Sequence, residues 1–134
     1  MKKVLTVGVY DLLHLGHIEL FRRAKKYGDY LIVAVQDSDV ILKYKPTAKV
    51  VYNTEERIYM VKSIKYVDEV CIYKGVDEIV KQIDFDILVT GPDQNHEGFQ
   101  KAIEWCKKHG KETAILPRTE GISTSTLKEI IKNM

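Results

Sequence analysis

Apolar and polar positions along the 134-residue chain switch repeatedly between two patterns. VLTVGV (4–9) is an apolar, β-rich run. In LFRRAKKYG (20–28), Leu20, Phe21, Ala24 and Tyr27 share one side of a helix, basic residues take the other, and Gly28 ends it. DYLIVAVQ (29–36) is apolar throughout, the mark of a strand covered on both faces. A polar, lysine-bearing loop is expected from Asp37 to about Tyr52. Asn53 and Glu56 are spaced as a capping box for a helix through Ile64. Further on, strands are predicted at 67–73, 86–91 and 112–117. Helices are predicted at 76–83, 96–109 and 124–132, with Gly110 as a C-cap.

Strands that alternate with helices imply a parallel sheet with helices on both faces and right-handed crossovers. For five strands, the expected fold is a Rossmann-like, doubly wound α/β sheet of order 3-2-1-4-5, formed by one domain over 1–134. Such sheets bind ligands beyond the carboxyl ends of their strands, where the winding reverses. Here that point lies between strands 1 and 4. GVYDLLHLGH (8–17) follows strand 1, GPDQN (91–95) follows strand 4 and PRTEGISTS (117–125) follows strand 5. The topology brings these three loops to one crevice.

Composition narrows the function classes. Hydrophobic residues make up 45% and charged residues 30%, as in a water-soluble domain, and 21 basic against 19 acidic side chains leave a net charge of +2. No basic block provides a footprint for nucleic acid. No apolar run is long enough to span a membrane, and MKKVLTVGVYD has no signal-type core, so a cytoplasmic location is expected. Cys71 and Cys106 lack metal or redox spacing and are expected to be reduced packing residues.

The loops carry the candidate chemistry. Gly8 lets a ligand approach the backbone. His14 and His17 fall on one face of the first helix, about a turn apart, at a terminus that attracts phosphate. The residues alone leave three readings: donors for a phosphate chain and its developing charge, two surface histidines, or a metal site lacking a clear third ligand. Asp11 is a candidate to cap the turn or orient a histidine, and Tyr10 to line the pocket. In PRTEGISTS, Arg118 offers a planar fork, Gly121 a tight turn, and Ser123 to Thr126 hydroxyls at a helix start; a capped helix with a stray arginine is the alternative. Arg57 is either a phosphate ligand or a solvated helix charge. Lys43, Lys45 and Lys49 are candidates to close over substrate. His96 either touches an acceptor or starts a helix at the surface. His109 complements a helix dipole, and Trp105 belongs to the core.

GVYDLLHLGH resembles the GxFDxxHxGH signature of the nucleotidyltransferase superfamily that contains the cytidylyltransferases. PRTEGIST resembles that family's second signature, and ER (56–57) and YVDEV (66–70) between the two are also typical of the group. The likeness spans essentially the whole chain, and glycerol-3-phosphate cytidylyltransferases are nearest in length and motif. The resemblance implies that a phosphorylated alcohol attacks the α-phosphorus of CTP, giving a CDP-alcohol and pyrophosphate with no covalent enzyme intermediate. It implies catalytic roles for His14, His17, Lys45 and Arg118. Nucleotide contacts would come from Gly8, Val9, Tyr10, Asp11, Gly16, Arg57, Gly91, Asp93, Arg118, Thr119, Gly121, Ile122, Ser123 and Thr124. Acceptor contacts would come from Lys43, Lys45, Gln94 and His96. Mg²⁺ would arrive on the triphosphate without a protein cage, and a homodimer and a role in cell-wall or capsule precursor synthesis are expected.

Departures from the family pattern cluster on the acceptor side. Val9 stands where the signature commonly has threonine, and Gln94 where an aromatic is usual. KGVDEI (74–79) lacks the expected tryptophan and lysine, and 95–111 is longer. Phosphocholine, phosphoethanolamine or a sugar phosphate are therefore alternative acceptors. An ATP-using adenylyltransferase and a nucleotide-binding module without turnover are alternative functions.

Overall fold

The structure, a computed structural model, describes residues 1–47, 49–117 and 124–134, with backbone alone at 44 and 124–127. Its elements are β1 (Lys3–Gly8), α1 (Leu15–Lys25), β2 (Tyr30–Gln36), α2 (Ser38–Tyr44), α3 (Thr54–Lys62), β3 (Glu69–Tyr73), α4 (Val76–Gln82), β4 (Ile87–Thr90), α5 (Glu97–Lys108), β5 (Glu112–Ile115) and α6 (Thr124–Lys132). The strands form one parallel sheet in the order β3-β2-β1-β4-β5. This is the expected Rossmann-like order.

The central strands β1, β2 and β4 are buried along most of their length, and are mostly apolar, because both faces are covered. Leu31, Val33 and Val35 of β2 pack with Val4, Phe21, Ala24 and Val61 on the side of α1 and α3. Ile32 and Ala34 point the other way, to Leu5, Val7, Leu88, Phe99, Ala102 and Cys106 on the side of α4 and α5. At the entry edge an aspartate stands before each of three strands. Asp29, Asp86 and Asp68 accept from the backbone N–H of Lys2, Lys3 and Leu31 at 2.9, 2.7 and 2.8 Å. Each carboxylate thereby satisfies a donor at the start of a neighbouring strand.

One element departs from the expected pattern. The lysine-bearing stretch contains a short helix, α2, started by the Asp37 carboxylate, which accepts from Asp39 N–H at 2.9 Å. Seven residues are too few for a helical period to stand out. The first helix begins at Leu15, where the spacing of His14 and His17 puts its terminus, and its cap is built from those histidines. At the exit edge the sheet opens. β1 pairs with β2 from Lys3 to Gly8, but with β4 only at Val4↔Ile87 and Leu5↔Leu88. The divergence lies at the switch point.

Leu88 is fully buried in the middle of β4. Leu88→Ala is expected to lower the unfolding free energy by ~2–5 kcal/mol, read from a urea transition at neutral pH.

Candidate active site

The loop after β1 is held from beneath. Tyr10 has a left-handed backbone, φ 53°, which side chains rarely adopt. Its ring is buried, edge-on to His17 at 5.5 Å and Phe21 at 5.2 Å. Gly8 makes room for this ring: a Cβ there would sit 2.7 Å from Tyr10 Cζ, so a larger residue would have to displace the buried tyrosine. Tyr10 therefore belongs to the core and does not line the crevice. Burial raises its phenol pKa well above the ordinary range.

Arg57 is 0% exposed. Its Nη1 donates to the Val9 carbonyl at 2.7 Å, Nε to the Tyr52 carbonyl at 3.1 Å, and Nη2 to Ser38 Oγ at 2.7 Å and Thr54 Oγ1 at 3.3 Å. Burial lowers its pKa, opposed by the fields of Asp11 and Asp37. Neither sequence reading of Arg57 describes this arrangement: it is not a solvated charge, and its fork is spent on the protein. Asp11 is also occupied. Its carboxylate accepts from Val51 and Tyr52 N–H, each at 2.9 Å, and from Lys128 Nζ at 3.1 Å. Burial works to raise its pKa, but these donors outweigh it and hold the group below the usual carboxylate range. Asp11 thus ties loops together and caps no histidine.

The histidines cap α1 reciprocally. His14 is the N-cap, and its Nδ1 accepts from Gly16 N–H at 3.0 Å. His17 Nδ1 accepts from His14 N–H at 3.3 Å. The rings stack at 4.0 Å between centroids. A ring nitrogen that accepts from a backbone N–H carries no proton, so each neutral imidazole holds its hydrogen on Nε2. The pair therefore offers two uncharged donors at a helix N-terminus. Burial lowers both pKa values, and burial plus the neighbouring His14 brings His17 down to about 4. Both rings are neutral at pH 7.

Beyond the strand ends lies a crevice of about 870 Å³. Gly8, Val9, Lys43, Lys45, Asp93, Gln94 and His96 all line it, with Tyr73, Lys74 and Phe99 among others. It thus gathers every acceptor candidate. Asp11, His14, Gly16, His17, Arg57 and Gly91 are not in its lining. Arg118, Thr119, Gly121, Ile122 and Ser123 lie outside the described residues, as does the side chain of Thr124. His96 caps α5 as His14 caps α1, with Nδ1 accepting from Gly98 N–H at 3.1 Å. Val9 shows how its departure from threonine is accommodated: its carbonyl is gripped by Arg57, and its side chain, 37% exposed, faces the crevice.

Gln94 bridges the opened sheet. Its Nε2 donates to the Val7 carbonyl at 2.7 Å and its Oε1 accepts from Gly91 N–H at 3.0 Å. The side-chain amide replaces the missing strand pairing between the ends of β1 and β4, so Gln94 braces the crevice floor. His109 stacks on Trp105 at 4.2 Å at the end of α5. Burial pushes the Cys71 thiol up to about 11 and raises that of Cys106, which suits packing residues. Lys128, which the sequence pattern did not single out, reaches the site from α6. Only its position in the fold distinguishes it from other helix lysines.

Comparisons place this geometry among known proteins. Residues 5–130 match the profile of the family described as cytidylyltransferase-like. The glycerol-3-phosphate cytidylyltransferase of Staphylococcus aureus is 44% identical over 133 residues, covering 96% of this chain and 94% of that protein. That of Bacillus subtilis is 39% identical over 137 residues, covering both fully. The crystal structure of the lipopolysaccharide core biosynthesis protein from Thermoplasma volcanium superposes with a TM-score of 0.72 at 26% identity, covering 89% of this chain and 97% of that one.

Two expectations follow from this geometry. Between pH 6.5 and about 4 the unfolded state binds a proton on His17 that the folded state refuses. Stability conferred by His17 is therefore complete above pH 6.5 and is lost as pH falls toward 4, by ~1–3 kcal/mol. His17→Gln, which preserves the capping box, should remove that component from denaturant unfolding measured across the window. Gln94→Met should cost ~1–3 kcal/mol by stranding the Val7 carbonyl and Gly91 N–H. Gln94→Glu should not restore it, because a carboxylate cannot donate to Val7.

Proposed function

We propose, starting from the fact that the chain belongs to the cytidylyltransferase-like family, that its acceptor is glycerol 3-phosphate and its product CDP-glycerol. It is a nucleotidyltransferase that moves CMP from CTP to a phosphorylated alcohol and releases pyrophosphate. An acceptor phosphate oxygen bonds to the α-phosphorus as the bond to the bridging oxygen of the leaving pyrophosphate breaks. The electron pair of that bond departs with pyrophosphate. The protein's part is positioning and charge stabilisation.

Full-length similarity to two glycerol-3-phosphate cytidylyltransferases supports this acceptor, and the observation that carries the transfer chemistry is the histidine pair with both Nδ1 atoms bonded to backbone. Donors locked in this way need no reorientation as charge builds on the phosphates. In our reading, Lys45 and Lys43 reach the acceptor or the phosphates from the crevice wall, His96 sits on the acceptor side, and Arg118 acts on the nucleotide. Gly8, Val9, Gly16, Gly91 and Asp93 form its surroundings, with Tyr10, Asp11 and Arg57 supporting them. Mg²⁺ would neutralise triphosphate charge and enter with the nucleotide. Asp11, next to the histidine loop, has its oxygens committed to Val51, Tyr52 and Lys128, and no metal-holding group of three such side chains occurs among the described residues. Exposed Tyr59 and Ile72, on α3 and the edge strand β3, support a homodimer. Unpaired cysteines support a reducing, cytoplasmic setting, and CDP-glycerol would serve cell-wall precursor synthesis.

Pyrophosphate release from CTP and Mg²⁺ is expected with glycerol 3-phosphate, and more slowly with phosphocholine, phosphoethanolamine or a sugar phosphate. ATP should be the poorer nucleotide. Absence of both pyrophosphate and nucleotide binding would refute the reading, whereas tight binding without release would favour a module that lost turnover. His14→Asn keeps a good N-cap and removes the Nε2 donor. It should lower kcat by ~10²–10³ while thermal stability stays within ~1 kcal/mol of the parent protein.

A further inference from the structure

We propose that Lys128 is a positioning residue for nucleotidyl transfer, clamping α6 through Asp11 onto the loop that leads to the histidine pair. Asp11 is 5% exposed, yet it is ionised. A buried carboxylate needs a counter-charge or several donors. Among the described residues Lys128 is the one cation within ion-pair distance, at 3.1 Å, although the two residues are 117 positions apart. Arg57 is also buried nearby, but its described bonds all go to uncharged acceptors.

Lys128 makes a second bond, from Nζ to the Lys49 carbonyl at 3.2 Å. One ammonium thus joins three segments: the loop after β1, the 49–52 stretch before α3, and the last helix. The Val51 and Tyr52 N–H groups bind the same carboxylate, so Lys128 and these amides support one another. The loop is pinned at Val9 by Arg57 and at Asp11 by this clamp, with left-handed Tyr10 between the pins. Three residues past Asp11 stands His14. Removing the ammonium leaves a buried charge on two backbone donors and frees the loop to shift. A small shift of the histidine donors is expensive in rate, because the donors act only when they are in place.

The kinetic arm of the test rests on the function proposed above, and the exchange arm does not. Lys128→Met should lower kcat by ~10–100-fold with KM for CTP changed less than ~3-fold, at a temperature where every variant is fully folded. Lys128→Arg, which keeps the charge and can pair with a carboxylate, should recover to within about 3-fold of wild type. Asp11→Asn with Lys128→Met should lose no more than Asp11→Asn alone, since both break one pair. Independently, the Val51 and Tyr52 amides should exchange hydrogen ~10-fold faster in Lys128→Met. Wild-type kcat and exchange in Lys128→Met, multiplying losses in the double variant, or a Lys128→Arg variant as slow as Lys128→Met would each overturn the clamp. A wild-type protein silent with CTP would count against the nucleotidyl-transfer reading, and the exchange rates would then decide the clamp.

Discussion

A guanidinium sealed inside the protein holds the backbone on which the site is built. Arg57 is fully buried, and a buried charge without partners would be prohibitive. The solution is to spend its donors on two backbone carbonyls and two hydroxyls, one of them the carbonyl of Val9 at the exit of β1. The cost of burying Arg57 thus becomes a constraint on where the loop begins. Asp11, two residues further on, imposes the complementary constraint, because its carboxylate must also be satisfied and its donors come from 51, 52 and 128. Two opposite charges, each below the surface, fix the short segment between them and hold Tyr10 in a backbone conformation it would otherwise avoid.

The consequence reaches the histidines. In a typical capping box the polar side chains are spent on the helix end. Imidazole differs because it has two nitrogens. One nitrogen of each ring takes a backbone N–H, and the same bond dictates that the other carries the proton. Capping and donor display are therefore one arrangement. Protonating either ring would set N–H against N–H, in the same direction as the burial that depresses His17.

The crevice needs the sheet to open without fraying. β1 and β4 part after Leu5 and Leu88, and backbone groups left behind in a half-buried place would carry a desolvation cost. Gln94 removes it with a single amide that accepts from one strand end and donates to the other. This explains why a departure from the usual aromatic at that position is compatible with the family's architecture. It also shifts attention from Gln94 to the lysines and His96 for contact with an acceptor.

Much of the fold was legible in the sequence. Apolar runs such as LIVAV mark strands covered on two sides, and the alternation of periods dictates a parallel sheet, from which the switch point follows. The capping box at Asn53 and Glu56 was legible too, since it depends on residues three apart. So was the gathering of Lys43, Lys45, Gln94 and His96 at one crevice beyond the strand ends. The roles of Arg57, Asp11 and Gln94 were not legible, nor was the importance of Lys128. Each depends on burial or on a partner 40 to 117 positions away, and no local pattern distinguishes a buried arginine from a solvated one or a clamp lysine from a surface lysine. The sequence by itself determined the strands, their order and the kinds of side chain that gather at the crevice, because those follow from short-range periodicity and chain connectivity. Only the tertiary structure decided which charges face inward and what they hold, because that depends on the solvation of each group in the folded protein.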